Sequence, residues 1–600
     1  MATDLLADIT AEISTLLDTW LAEQGAADSL QLGPPTRAGL GDLAAACHRY
    51  ARVFRKAPQA IAEDLARVAE THPMVASAEG VNGFLNVHFD WSQLGPQVLR
   101  WIDEDPGARG RSDDLAGQRV LIEFSAPNTN KPQHLGHARN NLLGHTLATL
   151  LEANGADVVR INLINDRGIH ICKSMVAYQR FGGGVTPESQ GTKGDHLVGH
   201  FYVLYANALA REYAEAFPEG GGPKEEEWFN GESELGQATR AMLQAWEAGD
   251  PEVLELWRTM NGWCEQGFAE TYARMGVRFD LIQKESETYA YGKRIIEAGL
   301  EAGVFYRLPD GAVAFDLAKV GREGKKIVLR ADGTSLYVTQ DIGTAVTRHE
   351  ELGFDRMIYV VGNEQDYYFQ VLFDILATLR PELAGSLVHR SYGMVELTTG
   401  KMKSRQGTVV DADDLMNTLR DGALGQNRER WSDLDDAEAA ERAEAVAMAG
   451  LKYYLLRFNP DRSFTFDPES SISFQGDTGP YCQYAYARCV NILGKLDGAE
   501  RGATPDLSVF AEPSVKRVLT ATLGLSVASR RAAAELDPSA LVQGLFDLAK
   551  AVAEFYSIDE NKVVDAALPR RAALAALVEG ARQVLGAGLD LLGMQRLDAM

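Results

Sequence analysis

Residues 127–137, Pro-Asn-Thr-Asn-Lys-Pro-Gln-His-Leu-Gly-His, bring together side chains that could do chemistry. His134 and His137 are three apart, so both face one ligand if a helix begins between them. Each imidazole can donate a hydrogen bond to a phosphate oxygen. Gly136 leaves room for a flat ring or a phosphate to approach the backbone. Lys131 adds a mobile cation, and a helix N-terminus adds partial positive charge. A displacement at phosphorus needs no covalent nucleophile, because orientation and charge neutralisation carry most of it. A second group lies far downstream. Residues 399–408 hold Lys401, Lys403 and Arg405 among hydroxyls, with glycines towards both ends, which suits a mobile polyphosphate clamp. Alone, such a basic loop is usually only a solvated face.

These residues need a frame. The apolar run 120–124 reads as a buried parallel strand, and leucines and alanines recur at helical spacing over 138–150. A strand, a Pro/Gly/Asn loop and a helix place the histidines at a strand's carboxyl end, where open α/β sheets bind ligands. From 117 to about 470, strands and helices alternate, which argues for a parallel sheet. A second strand over 158–164 ends in Asn165-Asp166-Arg167-Gly168. A mostly helical, charged insertion at about 182–275 then splits the domain. The second half is expected to resume with 326–330. Residues 335–343 lead into a helix over 344–352. A strand over 356–362 ends in Asn363-Glu364-Gln365-Asp366, and another strand lies near 392–395. Residues 1–110 read as a separate α/β module, with helices over 5–22, 42–54 and 58–71 and a half-buried strand over 83–89. After 479 the strand signals fade. Helical periodicity over 483–495, 514–535, 539–556 and 570–592 predicts an all-α bundle.

A chain of 600 residues exceeds one hydrophobic core, and about three or four domains are expected. The start mixes acids and leucines without a basic region, so no signal peptide is expected, nor any membrane span. The five cysteines form no C-x-x-C pair, which argues against a disulfide framework or a cysteine-rich zinc site and fits a reducing cytoplasm. A net charge of −25 weighs against nonspecific nucleic-acid binding. It leaves open a structured RNA held on local basic patches, such as Arg488, Lys495, Lys516 and Arg517 in the bundle.

Two phosphate-type loops on opposite halves of a split α/β domain, followed by a helical bundle, resemble a class I aminoacyl-tRNA synthetase. His134-Leu135-Gly136-His137 resembles the HIGH signature of that class, and Lys401-Met402-Lys403-Ser404-Arg405 sits where its KMSKS loop belongs. Within the class the chain is similar to arginyl-tRNA synthetases. The likeness runs through Ser125-Ala126-Pro127-Asn128 with Lys131-Pro132, and through Asp332-Gly333-Thr334 leading by Tyr337 to Asp341. It continues in Ile358-Tyr359-Val360-Val361-Gly362 with Gln365, and in Asp477-Thr478-Gly479-Pro480-Tyr481-Cys482-Gln483-Tyr484-Ala485. The resemblance implies a Rossmann-type catalytic domain over 117–400, a KMSKS-type loop and connecting helices over 400–478, and an anticodon-binding bundle over 479–600. The N-terminal module, 1–110, would touch the tRNA corner.

It also implies a reaction. ATP, accompanied by Mg2+, and arginine would give arginyl-adenylate and pyrophosphate, with tRNA needed for this first step. The arginyl group would then pass to the terminal adenosine of tRNA(Arg). Carried over by position, His134, Gly136 and His137 hold ATP with Lys401, Met402, Lys403 and Ser404. Asn128 meets the amino acid's α-amino or carboxylate end, and Tyr337, Asp341 and Gln365 line the arginine pocket. A carboxylate such as Asp341 can take a planar, forked guanidinium bidentately. The KMSKS pattern has lysine where Ser404 stands, so pyrophosphate-side charge falls first to Lys131, with Lys401 and Lys403 as helpers. Tyr481, Tyr484, Tyr486 and Arg488 are candidate tRNA contacts, since exposed bases stack on aromatic rings. A monomer with no tightly bound metal and no membrane contact is expected. Two alternatives remain open: an adenylate-forming nucleotidyltransferase acting without RNA, and a catalytically dead RNA-binding relative.

Overall fold

The computed structural model describes residues 5–35, 40–219, 221–397, 410–498 and 503–600. Lys401, Met402, Lys403, Ser404 and Arg405 lie outside the described residues.

The central sheet has five parallel strands. Across it they run Leu387–Tyr392, Arg356–Gly362, Arg119–Glu123, Asp157–Ile164 and Leu281–Lys284. The chain therefore starts at the centre, moves out to one edge, and returns to the centre to build the other side. The reversal lies between Arg119–Glu123 and Arg356–Gly362, and that is where an open sheet leaves a crevice at its carboxyl edge. Both central strands are covered on two faces, so Val120, Leu121, Ile122, Met357 and Ile358 are fully buried. Helix Leu135–Ala153 follows the first strand and buries Leu147, Leu150 and Leu151 completely. Each such leucine contributes about 1.5–3 kcal/mol. Gly144 is required there: a Cβ would lie 2.3 Å from Cγ of Phe124.

The expected α/β class holds, and four sequence readings change in detail. The third strand, Leu281–Lys284, was not anticipated. Residues 326–330 do not resume the parallel sheet. Lys325–Leu329 pairs antiparallel with Val313–Asp316 in a separate three-stranded sheet. Helix Tyr337–Leu352 begins well before residue 344, because Leu336 N–H donates to Thr339 Oγ1 at 2.8 Å and closes its first turn. In the N-terminal module, Leu43–Ala46 is a strand paired with Phe84–Phe89, and only Ala51–Phe54 of the expected 42–54 helix is α-helical.

Helices Ile169–Phe181, Gly194–Ala216, Glu234–Glu247 and Pro251–Met275 fill the interval between the second and third strands of the central sheet. Helices Gly479–Gly494, Pro513–Glu535, Ser539–Tyr556 and Leu568–Leu591 form the C-terminal bundle. Its core is continuous with that of the N-terminal module, from Ile13 and Leu65 to Leu585 and Leu589. Lys516 Nζ lies 2.7 Å from Asp42 Oδ1 across that junction. Leu568–Leu591 is long and apolar enough to cross a membrane by composition, but its most apolar window is 72% buried inside the bundle.

Candidate active site

His134 is the N-cap of helix Leu135–Ala153. Its Nδ1 accepts from Gly136 N–H at 3.1 Å, and its own N–H donates to His137 Nδ1 at 3.2 Å. The ring centroids stand 3.9 Å apart. Because both Nδ1 atoms accept, each neutral ring carries its proton on Nε2, which leaves an N–H for a ligand. Burial, helped by the nearby Lys131 ammonium, pulls His134 down to about 4. His137 is depressed well below the usual imidazole range by burial, then by His134 and Lys131. At neutral pH the pair therefore offers hydrogen bonds rather than charge, and Lys131 supplies the cation. The reading of Gly136 changes accordingly. A Cβ there would lie 2.9 Å from Cε1 of His134, so the glycine makes room for the capping imidazole.

The link between strand Arg119–Glu123 and this turn is strained. Ser125 and Ala126 both have positive φ, 77° and 47°, which non-glycine residues seldom adopt. Asparagine side chains hold them there. Ser125 N–H donates to Asn140 Oδ1, and Ala126 N–H to Asn162 Oδ1 at 3.1 Å. Asn140 Nδ2 donates to Val360 O at 2.7 Å, which ties the helix to the neighbouring strand across the reversal. Past the kink, Asn128 bridges Asn165, with Thr129 N–H on Asn165 O at 3.0 Å.

The segment that follows the undescribed 398–409 returns to the same turn. Leu135 N–H donates to Val410 O at 3.0 Å, and Ala412 N–H to Gln133 O at 2.9 Å. Upstream of 398–409, Val395–Leu397 pairs with Phe464–Phe466. Arg139, from the first helix, donates to Gly393 O and to Pro460 O (2.9 Å) at the foot of that pair. Residues 410–412 thus stand beside the His134–His137 turn, and Gly393 beside the first helix at Arg139.

A second cluster at the same edge of the sheet is acidic. Tyr337 and Asp341 lie one turn apart on helix Tyr337–Leu352; Tyr337 is 71% exposed and Asp341 half-buried. Tyr368 O–H donates to Asp341 Oδ2. Desolvation pushes the Asp341 carboxyl up to about 6, opposed by that hydrogen bond and assisted by Glu123. Glu123 is itself paired with Arg348, 2.6 Å away. Glu285, just past strand Leu281–Lys284, is pushed up to about 7 by burial, then by Asp341 and Asp166. Gln365 is exposed between strand Arg356–Gly362 and helix Asp366–Leu379. Asn128, Asp166, Glu285 and Gln365 therefore sit at the carboxyl ends of four different strands. Glu285 and Tyr368 were missed in the sequence; Asp166 was noted only as part of a polar strand end.

In the bundle, Tyr484 and Arg488 line a cavity of 240 Å³ with Asn491, Lys495, Tyr556 and Met600. Arg488 Nη2 donates to the Tyr484 hydroxyl at 2.8 Å. Tyr481 packs on Phe546 with ring centroids 5.6 Å apart. Tyr486 is buried to 4% exposure and cannot present a ring to a base, which corrects its candidacy.

Among the described residues, Asp195, His196 and Asp413 form a group with metal-ligand spacing, their donor atoms within 4.8 Å of one another. Lys193 Nζ stands 2.5 Å from Asp413 Oδ2 and 3.4 Å from Asp195 Oδ2, so a side-chain ammonium supplies the positive charge there.

Comparison with known proteins agrees along the whole chain. Residues 108–467 match the family model for the class I (R) tRNA synthetase catalytic domain. Residues 482–600 match the DALR anticodon binding domain, and 3–89 the arginyl tRNA synthetase N terminal domain. The arginine–tRNA ligase of Treponema denticola is 44% identical over 88% of both chains, and that of Parabacteroides distasonis 42% over 95% of both. The solved Thermus thermophilus arginyl-tRNA synthetase covers 98% of this chain and all of its own, with a TM-score of 0.78 and 25% identity. The chain belongs to the arginyl-tRNA synthetase family, the class I enzymes that use ATP to attach arginine to tRNA(Arg) in translation.

Proposed function

We propose that the crevice at the strand reversal works in two steps. A carboxylate oxygen of arginine attacks the α-phosphorus of ATP, and pyrophosphate leaves. The arginyl group then moves from the adenylate to a hydroxyl of the tRNA's terminal adenosine. His134 and His137 donate Nε2–H to the nucleotide, and Lys131 stands over the departing pyrophosphate. Lys401, Met402, Lys403 and Ser404 would close on ATP from 398–409, and Mg2+ would arrive with the ATP. Asn128 holds the α-amino or carboxylate end of the amino acid, and Gln365 lines the arginine pocket. Asp341 takes the guanidinium with Glu285 beside it, and Tyr337 offers its ring or hydroxyl near the same place. Tyr484 and Arg488 contact anticodon bases, and Tyr481 supports them by packing. The enzyme acts as a cytoplasmic monomer.

The observation that carries this reading is the contrast in protonation across the crevice. One wall presents neutral donors suited to phosphate oxygens. The other presents two half-buried carboxyls held above their ordinary range, which a cation would relieve. ATP–pyrophosphate exchange with each amino acid, with and without tRNA, tests it. Exchange for arginine alone, and only with tRNA present, is expected. Exchange indifferent to arginine would refute the reading.

A further inference from the structure

The group Lys193, Asp195, His196 and Asp413 lies outside the crevice, on the seam between the helical insertion and helix Ala412–Asn427. Lys193 is the N-cap of helix Gly194–Ala216, and its Nζ donates to Thr271 Oγ1 at 2.6 Å and to Asp413 Oδ2 at 2.5 Å. His196 Nε2 lies 3.3 Å from Asp413 Oδ2 and 3.5 Å from Asp411 Oδ2. Arg274 reaches Asn417 Oδ1 at 2.8 Å and Glu444 Oε1 at 2.8 Å on the same seam. The helices behind the group have no slack. A Cβ at Gly267 would fall 2.2 Å from Asp195 Oδ1, and one at Gly194 2.1 Å from Trp263 O. The side chains of Lys193, Asp411 and Asp413 are 19%, 11% and 15% exposed, so water screens these pairs poorly.

Burial alone would raise the Asp413 carboxyl and lower the His196 imidazole, yet each moves the other way. Asp413 is held at about 2 by His196 and Lys193, and His196 is lifted by Asp413, Asp411 and Asp195. At Asp413 and His196 pairing therefore outweighs desolvation, whereas burial still holds the Asp195 and Asp411 carboxyls up against their partners.

Asp413 follows directly on the segment that backs the histidine turn. Asp411 caps helix Ala412–Asn427 through Asp413 N–H at 2.8 Å, and it bridges His134. On either side of that bridge run the hydrogen bonds from Leu135 N–H to Val410 O and from Ala412 N–H to Gln133 O. We infer that Asp413, gripped by Lys193 and His196, is a positioning residue for the His134–His137 turn, so that the docking of the helical insertion sets the geometry of the ATP-binding wall. The grip runs from the Lys193 and His196 side chains to Asp413, and from there through the backbone of 410–412 to the histidine turn. It rests on the proposed role of that turn in adenylate formation.

The test uses the full chain with tRNA(Arg), arginine and ATP. Lys193→Met, Lys193→Arg and Asp413→Asn are compared with wild type in arginine-dependent pyrophosphate exchange. Active sites are counted by the adenylate burst, so that misfolded protein lowers the titre and not kcat. Expected is a fall in kcat of about 10- to 100-fold in Lys193→Met and Asp413→Asn, the cost of a displacement on the order of 1 Å. The arginine KM should stay unchanged, and Lys193→Arg should recover most of the rate. A wild-type kcat in the first two variants, or a loss carried by the arginine KM, would overturn the inference. An inactive wild type would instead refute the reading of the crevice itself.

Discussion

The two walls of the crevice solve opposite problems with opposite electrostatics. In the proposed reading the His134–His137 wall faces phosphates, which repay a fixed array of donors. It is built from neutral rings whose Nδ1 atoms are committed to backbone N–H groups. The Asp341–Glu285 wall, proposed to take the guanidinium, keeps carboxyls in surroundings that resist their ionisation. A wall of neutral donors costs the free fold little. A wall of half-buried acids is unfavourable until a cation docks on it, and the proposed selectivity for arginine would draw on that difference.

Four changes would break or sharpen the contrast. Asp341→Asn should raise the arginine KM by roughly 30- to 1000-fold, equivalent to about 2–4 kcal/mol for loss of one partner of a buried charged pair. The melting temperature should hold or rise, because a carboxyl that resists ionisation is gone. An unchanged arginine KM would remove Asp341 from the pocket. His134→Asn should act on the other wall alone. Asparagine can still cap the helix but offers no Nε2–H, so kcat for exchange should fall about 100-fold with the arginine KM intact. Equal damage to both constants would mean the walls are not separable. Glu285→Gln should weaken arginine by about 10-fold or less, a smaller loss than at Asp341 because Glu285 would be an auxiliary carboxylate. Arg488→Ala should be mildest, raising the tRNA KM a few-fold while single-turnover adenylate formation at saturating tRNA stays normal.

The phosphate wall was legible in the sequence because its parts are local. Strand, Pro/Gly/Asn loop, His-x-x-His turn and helix follow within one stretch; the kink at Ser125 and Ala126, held by Asn140 and Asn162 further along the chain, left no such pattern. The acidic wall was legible only at Tyr337 and Asp341, and those came through the family likeness. Residues 335–343 place Leu336, Val338 and Ile342 among β-branched neighbours, which does not announce a helix; the cap at Leu336 and Thr339 that starts it depends on contacts with Val328. Glu285 was invisible for another reason. Its strand, Leu281–Lys284, is a half-exposed edge of four residues with no apolar run, and only pairing with Asp157–Ile164 brings the glutamate to the crevice. In a chain with 84 acidic residues, a single glutamate carries no signal until the sheet is assembled. Tyr486 failed for the converse reason: a helical tyrosine looks the same facing inward or outward.

The difference between the walls can be read directly in protons. Calorimetric titration of the enzyme with arginine, in two buffers of unequal ionisation enthalpy, counts protons exchanged on binding. Burial pushes Asp341 up to about 6 and Glu285 up to about 7, so both should hold protons in part near pH 6 before arginine binds. Docking a guanidinium favours their ionised forms and drives those protons off. The expected result is net proton release at pH 6, fading to none by pH 8, with affinity falling as pH drops through that range. Proton uptake at pH 6, or the same heat in both buffers at every pH, would contradict the assignment of these acids to the arginine site.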